Sequence, residues 1–245
     1  MKKIVVKKLS AKDIAVLSLM VALTVVFCFV PISFGPVTLA LMILPTLIIA
    51  QVGDLKTTFA LGLFMGLINY VAWFTTKAAS PIAPIFQNPL VCIVPRVLIG
   101  LVSYGVRKLF ENFILKPKYV EKDGCMTLSN KKALIALDQV SIVLATALGV
   151  ITNTLFVGLF TLAFFNNKAL PSGTMIDIEY ILAWFGLNFL IEIIAFSLIT
   201  PALTFALRSA KLVPQPHYTK FKPVLEETQT EEDASEPKND EKKDD

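Results

Sequence analysis

The sequence is poor in charge, because charged residues make up only 17% of its 245 residues while hydrophobic residues make up 55%. Globular domains average about 25% charged residues, so the composition disfavours a water-soluble domain. Histidine occurs once, at His217 near the C-terminus, and the three cysteines form no C-x-x-C pair. These shortages argue against a metal site and a disulfide framework, and we predict neither metal nor cofactor.

Motifs for nucleotide hydrolysis and for common hydrolytic enzymes are also missing. The sequence contains no G-x-x-x-x-G-K-[ST], no H-E-x-x-H and no G-x-S-x-G, which leaves neither a P-loop nor these catalytic centres. No nucleophile–base pair stands out either, so we predict no catalytic residue. The two halves of the chain show no convincing internal repeat, which disfavours a self-contained transporter built from inverted repeats.

The sequence is rich in long apolar runs. A helix of about 20 apolar residues spans a hydrocarbon core of about 30 Å, and a helix satisfies its own backbone hydrogen bonds in lipid. The sequence therefore predicts an all-α integral membrane protein whose six transmembrane helices occupy residues 13–208. The six runs cover approximately residues 13–30, 37–52, 57–76, 89–110, 137–165 and 178–207.

Lysine and arginine are unevenly distributed between the connections. They crowd residues 1–12, the long polar connection 111–132 with Arg107 and Lys108 before it, and the segment from Arg208 onwards, and Lys56 lies between the second and third runs. The alternate connections hold only Lys77 and Lys168. Positive residues mark the cytoplasmic side, so we predict a multi-pass protein of the cell membrane with both termini cytoplasmic. Because these residues lie at the ends of apolar runs, they indicate a lipid bilayer and not nucleic acid as the partner. Residues 209–245 form an acidic tail that we expect to be disordered.

A few polar side chains lie inside the runs. A charge at the centre of a membrane helix costs at least about 2.5 to 3.5 kcal/mol, so Arg96 and Glu192 must face the protein interior or a water-filled cavity. At about 1.5 Å per residue, Arg96 lies in the outer half of the membrane, at a depth that Asn69, Asn153 and Asn188 share. Together these residues would form a pocket open to the outside, where the guanidinium group binds an anion.

Each of these residues also has a structural explanation. Arg96 could form a buried salt bridge with Glu192, and asparagines can bond membrane helices to one another. Trp73 could wall the pocket or belong to the interfacial aromatic belt. Glu192 is deeper than the other polar residues, so we expect it to position a helix or a partner group and not to contact a substrate.

Small residues recur at four-residue spacing in three of the runs. Such pairs flatten one face of a helix and allow close contact between helices. In the first run the pair lies in the cytoplasmic half, where it could contact a partner protein or another helix of the chain. The pairs are Ser18 with Ala22, Gly62 with Gly66, and Ala145 with Gly149.

Three short motifs carry a resemblance to a known family. They are the segment Asn-Pro-Leu-Val-Cys-Ile-Val-Pro-Arg at 88–96 with Gly100, the triplet 152–154 in the fifth run, and Glu192 followed by Thr-Pro-Ala at 200–202. In these motifs the chain resembles the substrate-binding S components of energy-coupling factor (ECF) vitamin transporters, over approximately residues 14–207. The segment 88–96 is most similar to S components for pantothenate, a small carboxylate.

The resemblance implies a function and a set of partners. An S component binds its vitamin with high affinity in an outward-facing pocket, and it works with a membrane T component and two cytoplasmic ATPase subunits that hydrolyse ATP. The pair Ser18 and Ala22 is similar to the small-residue pattern by which the family's first helix meets the T component. With the polar residues above, the predicted substrate-binding set is Arg96, Asn153, Asn69, Asn188, Asn88 and Trp73.

Other functions stay open at this stage. Folate or riboflavin are alternative substrates, because aromatic-rich stretches near the pocket would suit a flat ring. A self-sufficient secondary transporter or channel would need an intramembrane carboxylate for its coupling ion, and Glu192 is the firm candidate. A membrane enzyme is the least supported class.

Overall fold

The computed structural model describes residues 11–30, 32–34, 37–117, 119–122, 125–128 and 130–216. Most of these residues are helical. The helices are α1 (Ala11–Phe29), α2 (Ile43–Val52), α3 (Leu55–Phe74), α4 (Ala83–Phe86), α5 (Pro89–Cys92), α6 (Val94–Phe113), α7 (Lys131–Phe165) and α8 (Ile178–Ser209). Two short antiparallel hairpins complete the described fold, β1 (Ile32–Phe34) with β2 (Val37–Leu39) and β3 (Tyr119–Lys122) with β4 (Cys125–Leu128).

Four segments of this fold are long and apolar enough to cross a membrane, which agrees with the predicted membrane class. Two further apolar helices are shorter, over Ile14–Phe29 and Ile43–Val52. The four long segments are Leu55–Phe74, Pro89–Phe113, Lys131–Phe165 and Ile178–Ser209.

The second apolar run differs from its prediction. Residues 37–39 pair with residues 32–34 as a hairpin, and α2 begins only at Ile43. The β-branched residues of both strands suit extended backbone, and a Gly-Pro pair separates them in the sequence. The expectation of one helix over 37–52 is therefore wrong for its first residues, whereas the predicted all-α class is confirmed, since the two short hairpins are minor additions to the helices. With ten residues, α2 is only about 15 Å long.

Helix α6 holds the centre of the bundle, where it packs against α2, α3 and α7, and α7 in turn packs against α8. Small residues allow the close contacts. A Cβ atom at Gly62 would lie 3.1 Å from the carbonyl oxygen of Arg96, and one at Gly66 would lie 3.1 Å from the Cα atom of Ile93. A Cβ atom at Gly149 would lie 2.1 Å from the Ser103 hydroxyl. The close contacts predicted for these glycines are thus confirmed.

A capped turn fixes the start of α3. The Asp54 carboxylate accepts a hydrogen bond of 2.9 Å from the backbone N–H of Thr57, and the Thr57 hydroxyl bonds back to Asp54 in a capping box. The hydroxyl's hydrogen bond to the carboxylate lowers the pKa of Asp54. Such a cap satisfies backbone donors that a helix start leaves free. It therefore sets the register of α3, which carries Asn69 and Trp73.

The ends of the long helices also differ from the predicted runs. Helix α6 continues to Phe113 and α7 begins at Lys131, so the long polar connection is shorter than expected and contains the hairpin β3–β4. Helix α8 continues to Ser209. Of the predicted N-terminal segment and acidic tail, residues 1–10 and 217–245 lie outside the described residues.

Candidate functional site

A cavity of about 460 Å³ lies within the helix bundle. It reaches the surface at the loop between α3 and α4, where Thr76 lines it and is exposed. Helices α1, α3, α6, α7 and α8 and the chain segment 39–42 all contribute to its wall. The polar and charged residues among those lining it are Asn69, Thr76, Lys77, Ser80, Arg96, Asn153, Thr154, Asn188 and Glu192.

Arg96 is buried in the first turn of α6, where only 6% of it is exposed, and it lines the cavity. Its Nη1 atom donates to the carbonyl oxygen of Val91 at 3.3 Å, and its Cζ atom lies 5.4 Å from the centre of the Phe86 ring. Its Nε atom has no hydrogen-bond partner. No described carboxylate lies within 4.0 Å, so the salt bridge to Glu192 that the sequence left open does not form. The guanidinium group therefore retains donor capacity for an anion.

Asn88 supports this arrangement from outside the cavity, which it does not line among the described residues. Its side chain accepts a hydrogen bond of 3.0 Å from the backbone N–H of Leu90 and caps α5. Pro89 and Pro95 lie in the first turns of α5 and α6, where a helix makes no use of their missing N–H. The segment 88–96 thus divides this helical run into α5 and α6, and it places Arg96 at the cavity.

Asn69 joins three parts of the site and is buried on α3. Its Oδ1 atom accepts a hydrogen bond of 3.2 Å from the Lys77 ammonium group, and its Nδ2 atom lies 3.2 Å from the sulfur of Cys92 on α5. The Cys28 thiol on α1 also points to Oδ1, at 4.0 Å. Both the oxygen and the nitrogen atom of the Asn69 amide therefore have partners, which fixes the orientation of the side chain in the cavity wall.

Lys77 is a cavity residue that the sequence did not reveal, since it was assigned only as a charge in a connection. The chain turns back after α3, with the Lys77 backbone N–H bonded to the carbonyl oxygen of Ala72 at 2.9 Å. Its ammonium group lies 5.4 Å from the centre of the Trp73 ring. Burial lowers the pKa of Lys77, and the positive charge of Arg96 lowers it further. The cavity therefore holds a second cation close to the first.

Trp73 and Phe86 form an aromatic wall of the cavity. Their rings stack with centres 4.7 Å apart and an angle of 10° between the planes. The carbonyl oxygen of Trp73 accepts a hydrogen bond of 3.1 Å from the Gln87 side chain, whereas its indole Nε1 atom is buried without a partner. An indole N–H can only donate, so this donor is unused in the ligand-free protein.

Asn153 and Asn188 approach the cavity from α7 and α8. Asn153 is 6% exposed, and its Oδ1 atom has no hydrogen-bond partner. Buried polar atoms are normally paired with protein or water. The unpaired acceptor of Asn153 and the unpaired donors of Arg96 and Trp73 belong to residues of one cavity wall. This combination is typical of a site that binds a polar molecule.

Glu192 lines the same cavity from α8 and is 7% exposed. Its Oε1 atom accepts a hydrogen bond of 3.1 Å from the backbone N–H of Ala40, directly after β2. The carboxylate thus ties the hairpin β1–β2 and the start of α2 to α8. A positioning role was expected from the sequence, and a cavity wall is one of the two surroundings that the sequence allowed for this residue.

A second buried polar cluster, which we call the ion-pair cluster, comprises Arg107, Glu111, Asp138, Ser141 and Arg208. Both guanidinium groups bond to the carboxylate of Asp138, with Arg208 at 2.5 Å. Arg107 also bonds to the Ser141 hydroxyl and lies 3.3 Å from Glu111. The sequence placed both arginines at helix ends as markers of orientation, and it did not reveal that α6, α7 and α8 meet there through Asp138.

Ser18 and Ala22 lie apart from both polar regions, on the outward face of α1. Both are exposed, together with Ile14 and Val26 at similar helical spacing. This face makes no use of its small residues for packing within the described bundle. Among the described residues, no group of three or more His, Cys, Asp and Glu side chains could hold a metal ion.

Long apolar helices around a polar cavity define a membrane protein with an internal site for a small solute. The family model for the ECF transporter, substrate-specific component, matches residues 12–204 of the chain. The chain therefore belongs to this family, whose members are transport subunits and not enzymes. A comparison with curated proteins found no match.

Proposed function

We propose that the chain is the vitamin-binding subunit of an ECF importer and that it binds pantothenate, a small carboxylate, in the cavity. The observation that carries the proposal is Arg96, which is buried, lines the cavity and lacks a carboxylate partner among the described residues. A buried cation normally has a counter-ion, and a bound carboxylate supplies one. The planar fork of a guanidinium group matches the two oxygens of a carboxylate.

The rest of the cavity wall complements the polar middle of such a ligand. Pantothenate carries hydroxyl and amide groups, which both donate and accept hydrogen bonds. The unpaired Oδ1 atom of Asn153 can accept from them, and the unpaired N–H of Trp73 can donate. Asn69 and Asn188 line the same space. We propose that these four residues contact the ligand, and that Asn88 acts indirectly by holding the segment that carries Arg96.

The membrane arrangement that we propose has six spans and cytoplasmic termini, with residues 13–208 as the membrane domain between the N-terminal segment 1–12 and the acidic tail 209–245. The cavity reaches the surface at the loop after α3, which lies at the opposite end of α3 from its capped start. In the sequence, most basic residues occur in the alternate set of connections, to which the turn before α3 belongs. By the positive-inside rule, the cavity then opens to the outside.

The proposed partners are a T component in the membrane and two cytoplasmic ATPase subunits. The outward face of α1, with exposed Ser18 and Ala22, supports a contact there with another membrane helix, because small residues let helix backbones approach closely. Energy for release would come from the partners, since the sequence contains no P-loop.

Riboflavin and folate are the second candidate substrates, and the stacked rings of Trp73 and Phe86 favour them. A flat aromatic ligand can extend such a stack. This alternative leaves Arg96 without an evident counter-ion for riboflavin, which is uncharged at neutral pH. Pantothenate therefore remains the better match.

Calorimetry of the purified protein in detergent, with pantothenate, riboflavin and folate titrated separately, tests the proposal. We expect high-affinity binding of pantothenate by the chain alone, and cellular uptake only when T and ATPase subunits are co-expressed. Arg96→Ala is the matched variant and should lose binding while it remains folded. Absence of binding for the whole panel would overturn the proposal, and ion-driven uptake by the chain alone in liposomes would favour a secondary transporter.

A further inference from the structure

The charge of the cavity can be counted from the residues that line it. Three of the described lining residues are charged, namely Lys77, Arg96 and Glu192. The sequence 31–38, which precedes the lining residues Leu39 and Ala40, contains no charged residue. With all three residues ionised, the cavity carries two positive charges and one negative charge.

None of these three charges is cancelled by direct pairing within the described structure. The Lys77 ammonium group is held by neutral groups, the Asn69 amide oxygen at 3.2 Å and the Trp73 ring at 5.4 Å. Glu192 accepts a backbone N–H, and Arg96 donates to a backbone carbonyl oxygen. The ion pairs of the described residues all lie elsewhere. With all three groups ionised, the site therefore keeps a net charge of one positive unit among largely buried side chains.

We propose that this balance makes the site selective for a ligand with a single negative charge, and that Lys77 is a specificity-determining residue for it. The inference rests on the proposed function. A monoanion neutralises the cavity, whereas a neutral ligand leaves one positive charge without a partner and a dianion leaves one negative charge in excess. Uncompensated charge in a desolvated site is unfavourable.

The charge balance separates the candidate substrates. Pantothenate carries one negative charge at neutral pH, riboflavin carries none, and folate carries two. The aromatic wall does not make this distinction, because it can stack against any flat ring. Lys77 is the residue whose charge decides the net charge, since Arg96 and Glu192 alone would cancel. Its position at the mouth, next to exposed Thr76, also places it where a ligand enters.

The test measures two ligands that differ in one charge, pantothenate and its neutral alcohol panthenol, by calorimetry of the purified full chain. We expect the wild-type protein to prefer pantothenate, and Lys77→Met to reduce the ratio of the two affinities by about tenfold. Lys77→Arg should retain the ratio, because it keeps the charge. Glu192→Gln, which retains an acceptor for the Ala40 N–H, should increase the ratio and improve folate binding.

The outcomes separate the inference from the proposed function. Equal weakening of both ligands by Lys77→Met would mean that Lys77 only holds Asn69 in place, and it would overturn the inference while pantothenate binding stands. Wild-type protein that binds panthenol as well as pantothenate, or that prefers riboflavin or folate, would also overturn the inference. Binding of none of these molecules would overturn the proposed function and the inference with it.

Discussion

Two buried arginines on one helix, α6, have different surroundings. Arg107 is 1% exposed, bonds to Asp138 and Ser141, and forms an ion pair with Glu111 at 3.3 Å. Arg96 is 6% exposed, donates only to a backbone carbonyl oxygen and lies beside the cavity. The two residues are about three helical turns apart. Both are costly to bury in a membrane, but only Arg107 has its counter-ions within the described chain.

From this difference we propose that Arg107 holds the fold and that Arg96 is kept for a ligand. An ion pair satisfied within the chain joins helices, and loss of one partner leaves a buried charge alone. A buried cation that faces a cavity instead reduces the stability of the empty protein and gains its counter-ion on binding. Stability and affinity should therefore respond oppositely to changes at the two positions.

The largest effect is expected from Asp138→Ala, which deprives both Arg107 and Arg208 of a carboxylate. Breaking a buried ion pair costs about 3 to 5 kcal/mol, so this variant should unfold at much lower temperature or fail to yield a monodisperse protein in detergent. Thermal unfolding with size-exclusion chromatography measures it. Asp54→Ala is the matched control, because loss of an exposed helix cap costs about 1 kcal/mol. Equal melting temperatures of Asp138→Ala and the wild-type protein would refute a structural role for the ion-pair cluster.

The next effect in size is expected from Arg96→Ala, and it should appear in binding. Loss of a desolvated charge pair should weaken pantothenate binding by about 2 to 4 kcal/mol, whereas the melting temperature of the ligand-free protein should stay the same or rise because an unpaired buried donor has been removed. Lys at this position should rescue only part of the affinity, since it lacks the planar fork. A ligand-free Arg96→Ala protein as unstable as Asp138→Ala would make Arg96 structural.

Part of the site could be predicted from the sequence, because the depth of a residue in the membrane can be estimated from the rise per residue of its helix. The convergence of Arg96, Asn69, Asn153 and Asn188 was expected from their distances to the span ends, and all four line one cavity. Their contact with a ligand stays a prediction. The family and the membrane class also followed from short motifs and apolar runs.

The remaining features depend on geometry that periodicity does not encode. Lys77 reaches the cavity because the chain folds back after α3, and no repeating pattern determines the course of such a loop. Arg107, Asp138 and Arg208 meet only once the register of three helices is known, and a positive charge near a span end already had an explanation in membrane orientation. The sequence did not predict the hairpin formed by residues 32–34 and 37–39, because its residues are as apolar as those of a membrane helix.

A smaller effect is expected from Asn153→Ala. Its Oδ1 atom has no partner in the ligand-free protein, so the substitution should leave the melting temperature nearly unchanged. Loss of a hydrogen bond to a ligand hydroxyl or amide should weaken pantothenate binding by about 1 kcal/mol. Thr152→Ala, one residue away with an exposed hydroxyl bonded to its own helix, is the matched control. A fall in stability without a change in affinity would assign Asn153 to helix packing.

The smallest effect is expected in the pH dependence of pantothenate affinity, through Lys77, the second cation beside Arg96. Burial lowers the pKa of Lys77 in the ligand-free protein, and a bound anion favours its charged form. Pantothenate affinity should therefore be full below this lowered pKa and should decrease severalfold as the pH rises through it, since the carboxylate of the ligand stays ionised over this range. Calorimetry over a pH series measures the decrease.

Other groups near Lys77 set the control for this pH series. The thiols of Cys28 on α1 and Cys92 on α5 and the guanidinium group of Arg96 on α6 all act on Lys77, and Asn69 and Trp73 contact it directly. Lys77→Arg leaves these neighbours and Glu192, which lines the same cavity from α8, in place and keeps its own charge throughout the range, so its affinity should decrease less with pH than that of the wild-type protein. A decrease in Lys77→Arg equal to that of the wild-type protein would assign the titration to a neighbour, and the second cation of the cavity would then have no part in binding the anion.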